Sequence, residues 1–276
     1  MAALTGFAAN SILCRMALQP RLADAASFTT IRLLSGALVL FVLCRAISDP
    51  ARAPGSAGSW PSAAALFAYA AAFSFAYVRV GAGVGALLLF GAVQATMLAW
   101  ALRRGERPGA LEWIGLAVAL GGLVALVLPG LGAPDPTGAA LMFAAGVAWG
   151  VYSLRGRGTS DPLAATASNF ARAVPFTLAS SLLAAGHVRV TGEGALLAVA
   201  SGALASGVGY SLWYAALRGL TATRAAIVQL SVPVLAATGG VLLLGERLSP
   251  RLVLAGAAIL GGVALAMGGS THGRRS

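Results

Sequence analysis

The chain reads as a succession of apolar runs broken by brief polar connections. Ten runs approach the length of a membrane helix, about 17–25 residues. They fall at approximately 3–18, 28–45, 62–78, 81–102, 111–129, 136–154, 163–184, 194–217, 221–244 and 252–269. The connections carry turn formers such as Ser48-Asp49-Pro50 and Ala133-Pro134-Asp135-Pro136. The runs are continuous rather than alternating, which excludes a β-barrel. No connection is long enough to hold a soluble domain. The first run lacks a basic flank and is not read as a cleaved signal peptide. The pattern predicts an all-α membrane protein of ten transmembrane helices.

Composition agrees. Of 276 residues, 58% are hydrophobic and only 10% charged, with mean hydropathy +0.85. So few charges cannot solvate a soluble fold of this size, and such apolarity excludes disorder. The net charge is +11, and with no lysine in the sequence all 19 cations are Arg. On a soluble protein this balance would suggest nucleic acid. Here the Arg residues sit singly or in pairs between apolar runs, so they are read as topology-setting charge and no nucleic-acid partner is expected. Eleven lie in the connections after runs 2, 4, 6 and 8 and in the tail, against five on the opposite side (Arg21, Arg79, Arg189, Arg247, Arg251). That asymmetry places both termini in the cytoplasm.

The two halves resemble each other. A shift of 140 residues overlays Gly105-Glu106-Arg107 on Gly245-Glu246-Arg247, and Gly121-Gly122 on Gly261-Gly262. A shift of 136 overlays Phe7-Ala8-Ala9 on Phe143-Ala144-Ala145. With five runs in each half, residues 1–130 and 131–276 form an inverted repeat, the arrangement of secondary transporters with a substrate site near the midplane.

The sequence also resembles the drug/metabolite transporter superfamily in its ten-helix EamA-type branch. The likeness lies in Gly6-Phe7-Ala8-Ala9-Asn10-Ser11, in Arg32-Leu33-Leu34, and above all from Tyr210 to Ser249. There Leu212-Trp213-Tyr214-Ala215-Ala216-Leu217 leads through Val232-Pro233-Val234 to Leu244-Gly245-Glu246-Arg247-Leu248-Ser249. Bacterial amino-acid and metabolite exporters are the most similar branch. The resemblance implies a basket in which the first four helices of each half surround a cavity and the fifth is peripheral. The Trp-Gly pair usual in the first helix is replaced by Ala9-Asn10, while the second half keeps Trp149-Gly150.

Candidate site residues follow from chemistry inside an apolar chain. Tyr69, Phe73 and Tyr77 recur every four residues and share one helix face. The equivalent run of the second half carries Tyr210, Trp213 and Tyr214, and run 6 adds Trp149 and Tyr152. Such faces can hold apolar or cationic groups, or form an interfacial belt, which suits Tyr69 and Tyr77 near helix ends. Asn10, Gln94, Asn169, Gln229 and Ser231 are polar within runs and need a cavity or a partner. Gln94 follows Phe90 by one turn. Gln229 precedes Pro233, where a kink is expected. Arg15 and Arg32 can snorkel from near helix ends, whereas Arg172 is deeper; any of the three could bind an anion.

Every acid (Asp24, Asp49, Glu106, Glu112, Asp135, Asp161, Glu193, Glu246) lies in a connection or at a run end. Transport is therefore not expected to couple obligatorily to protons through a membrane carboxylate. Glu106 and Glu246 are expected to pair with neighbouring Arg residues at helix ends. Gly146-x-x-x-Gly150, Ala236-x-x-x-Gly240 and the Gly residues of the last run in each half predict close helix packing. Gly81, Gly83 and Gly85 could soften a helix end. Cys14 and Cys44 offer no disulfide framework, and His187 and His272 lie outside the runs, so no cofactor, metal or intramembrane enzyme site is expected.

These observations predict a secondary transporter exporting small metabolites, amino acids first, as a monomer or weak homodimer in the bilayer. The alternatives are export of aromatic or cationic drugs, and exchange of an organic anion through in-membrane Arg.

Overall fold

Proline and short polar caps set where the helices begin. The computed structural model describes residues 2–47, 58–105, 109–128, 130, 133–156, 159–217 and 231–269. In the first half are α1 (Ala2–Leu18), α2 (Ala25–Ile47), α3 (Trp60–Tyr77), α4 (Ala82–Arg103) and α5 (Ala110–Val127). The second has α6 (Pro136–Arg155), α7 (Pro162–Leu183), α8, α9 (Ser231–Leu244) and α10 (Pro250–Gly269). α8 is one continuous helix in three stretches: Gly192–Val199, a π-helical Ala200–Val208, and Gly209–Leu217. Asp135 and Asp161 each accept a bond from the backbone N–H three residues on, at 2.7 and 3.0 Å, with proline next in sequence. An acidic or hydroxyl N-cap satisfies an orphan donor, and proline at N1 removes another. Gly105 after α4 and Gly245 after α9 have φ of +81° and +64°, the left-handed geometry that lets glycine end a helix.

The connection between α1 and α2 docks on the one between α7 and α8. Asp24 caps α2 through Ser27 N at 2.9 Å and accepts from Arg189 N at 3.0 Å. Ala23 and Val190 form an isolated antiparallel bridge beside it. Partial burial pushes the Asp24 carboxyl up, but the donors of Arg189 and Ser27 outweigh it and hold the group below its ordinary value.

Small residues decide which helices touch. α5 packs along α10, where a Cβ on Gly262 would stand 2.5 Å from the Gly115 carbonyl oxygen and 2.6 Å from Ala119 N. α6 crosses α4 through Gly146, whose Cβ would lie 2.5 Å from the Leu89 oxygen. Gly202 presses on the Arg32 carbonyl and the Ser35 hydroxyl, where the π stretch crosses α2. The other principal contacts join α2 to α7, α3 to α6 and α7, α1 to α8 and α9, and α4 to α9. At the start of α4 the glycines serve packing: a Cβ on Gly83 would lie 2.9 Å from the Ala237 methyl, and one on Gly85 2.5 Å from the Tyr77 ring.

Large apolar side chains such as Leu38, Leu182, Leu196, Leu242 and Leu254 cover the outside. Among the described residues, three helices (Ala25–Ile47, Pro136–Arg155 and Gly192–Trp213) are long and apolar enough to cross a membrane, and five shorter helical stretches are similarly apolar. A soluble monomer rarely exposes such a surface, whereas lipid covers it without cost.

Candidate substrate site

Where α1, α3, α4, α6 and α8 converge, they leave a cavity of about 30 Å³. Its wall is mostly aromatic. The i, i+4 spacing on α3 turns Tyr69 and Phe73 to the same side, with ring centroids 5.4 Å apart. Trp149 from α6 lies 4.8 Å from Tyr69 and stacks on Tyr210 from α8 at 5.3 Å and 19°. Phe7 from α1 closes the row, 5.6 Å from Tyr210. Leu89 and Phe90 come from α4. Rings from both halves of the chain thus share one wall.

The polar lining is Asn10, Ser11 and Ser206. Asn10 is buried, and its side-chain oxygen accepts a bond from the Ser201 hydroxyl. The Ser206 hydroxyl is buried with no hydrogen-bond partner among the described residues. It sits in the π stretch, where wider turns alter the helical register; such stretches are frequent at functional sites.

Of the residues singled out in the sequence, Asn10, Tyr69, Phe73, Phe90, Trp149 and Tyr210 line the cavity. Tyr152 and Tyr77 stand behind that wall, with Tyr152 against Trp149 at 5.5 Å and Tyr77 edge-on to Phe73 at 4.6 Å. Trp213 packs edge-on against Phe7 at 5.8 Å. Gln94, Ser231 and Pro233 are outside the lining; Pro233 is buried in the first turn of the described part of α9. Gln229, and the turn before Pro233 where a kink was expected, lie outside the described residues, as does the side chain of Tyr214. Asn169 holds the Ser59 backbone N–H at 2.9 Å, away from the cavity. Phe7, Ser11, Leu89, Ala205 and Ser206 were not foreseen. Tyr69 is an interior wall residue rather than part of a lipid-facing belt.

The in-helix cations reverse their expected order. Arg32 does not snorkel. α2 begins at Ala25, three residues before the apolar run, so Arg32 enters the second turn on the inward face and is 1% exposed. Its Nη2 donates to the Tyr69 hydroxyl at 3.2 Å, and its Cζ lies 5.0 Å from the Phe73 ring centre and 5.4 Å from that of Tyr69. Arg172, expected deepest, is half-buried and donates to Ser168 one turn back. Glu246 pairs with the distant Arg15 rather than with its neighbour Arg247. The Arg15 Nε lies 3.5 Å from one carboxylate oxygen, and both oxygens stand 2.9 Å from Ala82 N at the start of α4. Glu106 lies outside the described residues.

Residues 136–268 match the model of the EamA-like transporter family. Across that stretch, just under half of the chain, the sequence is similar to the EamA-like transporter family. Its members are integral membrane transporters of small molecules rather than enzymes, and the apolar exterior fits that setting. Trp149, Ser206 and Tyr210 fall inside the matched stretch; Asn10, Tyr69 and Phe73 lie before it. A protein of Pseudomonas aeruginosa, called uncharacterized protein PA1977, is 56% identical over 266 residues, covering 95% of this chain and 91% of that one. A solved crystal structure shares the fold, with TM-score 0.67 over 99% of each chain at 22% identity.

Proposed function

We propose that the chain is an EamA-like transporter that exports amino acids, aromatic or neutral, across the bacterial inner membrane with both termini in the cytoplasm. The observation that carries this reading is the central cavity, where rings from both halves surround Asn10 and the unpartnered Ser206 hydroxyl. An aromatic wall suits an apolar side chain or an ammonium group, and the polar donors suit a zwitterionic backbone.

Alternating access of two inverted five-helix repeats, 1–130 and 131–276, is the proposed mechanism. The helix contacts support it. Exchanging each helix for its counterpart in the other half turns the α1–α9 contact into α6–α4, α1–α8 into α6–α3, and α2–α8 into α7–α3. The α2–α7, α4–α9 and α5–α10 contacts map onto themselves. Gly105 and Gly245 end equivalent helices in the same left-handed geometry. A cavity of this volume holds about two waters, so the helices must part before a metabolite enters, as alternating access requires.

The test is efflux of a labelled amino-acid mixture from proteoliposomes containing the purified protein. Selective loss of particular amino acids is expected. Trp149→Ala should reduce that loss at unchanged folded yield. Wild-type vesicles that retain every amino acid as protein-free vesicles do would overturn the substrate assignment.

A further inference from the structure

Among the described residues, Arg32 is the one charged side chain in the set of largest fully buried residues, and its described surroundings do not neutralise it. One of its nitrogens bonds a neutral hydroxyl, that of Tyr69. The other two, Nε and Nη1, are buried without a hydrogen-bond partner among the described residues. Among the described residues the two ion pairs are Arg15 with Glu246 and Arg79 with Asp135, and neither reaches Arg32. A cation stripped of water costs far more than one neutral hydrogen bond and two ring contacts return. Such an arrangement favours an incoming anion. The location says where that anion would come from, because Tyr69 and Phe73, whose rings flank the guanidinium, both line the central cavity. Since the Tyr69 oxygen accepts from Arg32, its own O–H is left to donate to a neighbour.

We propose that Arg32, together with the Tyr69 hydroxyl, recognises the carboxylate of the transported substrate. The carboxylate is met first by the Tyr69 O–H and then, as the rings part, by the two unpaired guanidinium nitrogens. Guanidinium presents paired N–H donors in a plane that matches two carboxylate oxygens, which makes a charge-assisted pair stronger than neutral bonds. The substrate class is therefore a small carboxylic acid with an apolar or zwitterionic body, and an amine lacking the carboxylate is discriminated against. The proposal rests on the reading of the cavity as the transport site, but not on the substrate being an amino acid.

Two probes separate these claims: phenylpropionate, with a carboxylate and a ring, and phenethylamine, with an ammonium and a ring. Each is titrated against the purified full chain, and binding is read as a rise in Tm. The wild type is expected to bind phenylpropionate at least about tenfold more tightly than phenethylamine. Arg32→Gln should lose about tenfold or more in phenylpropionate affinity, and Arg32→Lys should lose less, since charge remains without the planar fork. Equal binding of the two probes by the wild type overturns the proposal, and this arm needs no variant to fold. Failure of phenylpropionate to bind the wild type overturns it as well. So does a lower Tm for Arg32→Gln with unchanged phenylpropionate affinity, which would make Arg32 a packing residue. Phenylpropionate binding that depends on Arg32, with no amino-acid efflux, supports the carboxylate site and removes the amino-acid reading alone.

Discussion

Glu246 ties together three helices that are remote in sequence, and removing it should loosen that end of the molecule measurably. Its carboxylate accepts from Ala82 N, the start of α4, with both oxygens at 2.9 Å, and lies 3.5 Å from the Arg15 Nε on α1. Arg15 is anchored in turn on the Tyr77 carbonyl at 2.8 Å. The carboxylate and guanidinium side chains are 22% and 14% exposed, so solvent screens the pair only in part. A hydrogen bond to a charged acceptor is worth about 1.5–3 kcal/mol. A negative charge at a helix N-terminus adds about 0.3–1 kcal/mol. A partly exposed ion pair adds about 0–1 kcal/mol. Glu246→Ala should therefore cost about 2–5 kcal/mol, lowering the Tm by roughly 4–20 °C in a chain of this size. Glu246→Gln keeps an acceptor for Ala82 N and should lose roughly half as much. The assay is thermal unfolding of the detergent-solubilised protein, with Arg15→Met and the double variant completing a cycle. A coupling of about 0.5–1 kcal/mol between Glu246 and Arg15 is expected. A Tm for Glu246→Ala within about 1 °C of wild type would refute the reasoning.

Three further outcomes follow from the geometry. Gly262→Val forces a side chain into the Gly115 carbonyl where α5 meets α10 and should destabilise by about 1–3 kcal/mol, whereas Gly121→Ala, with nothing within 4 Å of the new methyl, should be neutral or slightly stabilising in the same thermal scan. Asp24 has its carboxyl held below the ordinary range, so its contribution is present above the unfolded value, about 3.9, and is lost as pH falls through the folded value; the Tm gap between wild type and Asp24→Asn should be full at neutral pH and close on acidification. Because every acid of the sequence lies in a connection or at a run end, transport in proteoliposomes at zero voltage should respond little to an imposed pH gradient, and a strong response would place a proton relay the sequence did not suggest.

Helix positions were legible because lipid imposes a single requirement, continuous apolarity, and that is visible residue by residue. The run at 194–217 became α8 from Gly192 to Leu217, and the run at 136–154 became α6 from Pro136 to Arg155. Asp135 and Asp161, read in the sequence only as acids in connections or at run ends, prove to cap α6 and α7 by bonding the backbone three residues on. Helix facing was harder to read. A helix apolar all round carries no stripe to mark its inner side. Thus Arg32 looked able to snorkel from near a helix end and Arg172 looked the deeper of the two, and their burial came out reversed. The i, i+4 stripe of Tyr69 and Phe73 identified an aromatic face, but not whether it met lipid or cavity.

What the sequence withheld are contacts between residues far apart along the chain, and these give the site its character. The pairing of Glu246 with Arg15, rather than the adjacent Arg247, depends on how α1, α4 and α9 meet. The π stretch of α8 has no compositional signature, yet it carries the Ser206 hydroxyl into the cavity and places Gly202 on the Arg32 carbonyl. Those two consequences are linked. A side chain at position 202 would collide with both the Arg32 backbone and the Ser35 hydroxyl. Close approach of α8 to α2 thus brings Tyr210 and Ser206 to the same wall as Tyr69, the ring that Arg32 holds. The charged group and the α8 part of the cavity wall share that crossing, so a change that separates α2 from α8 should disturb substrate recognition and stability together, whereas one confined to the α5–α10 crossing should disturb stability alone.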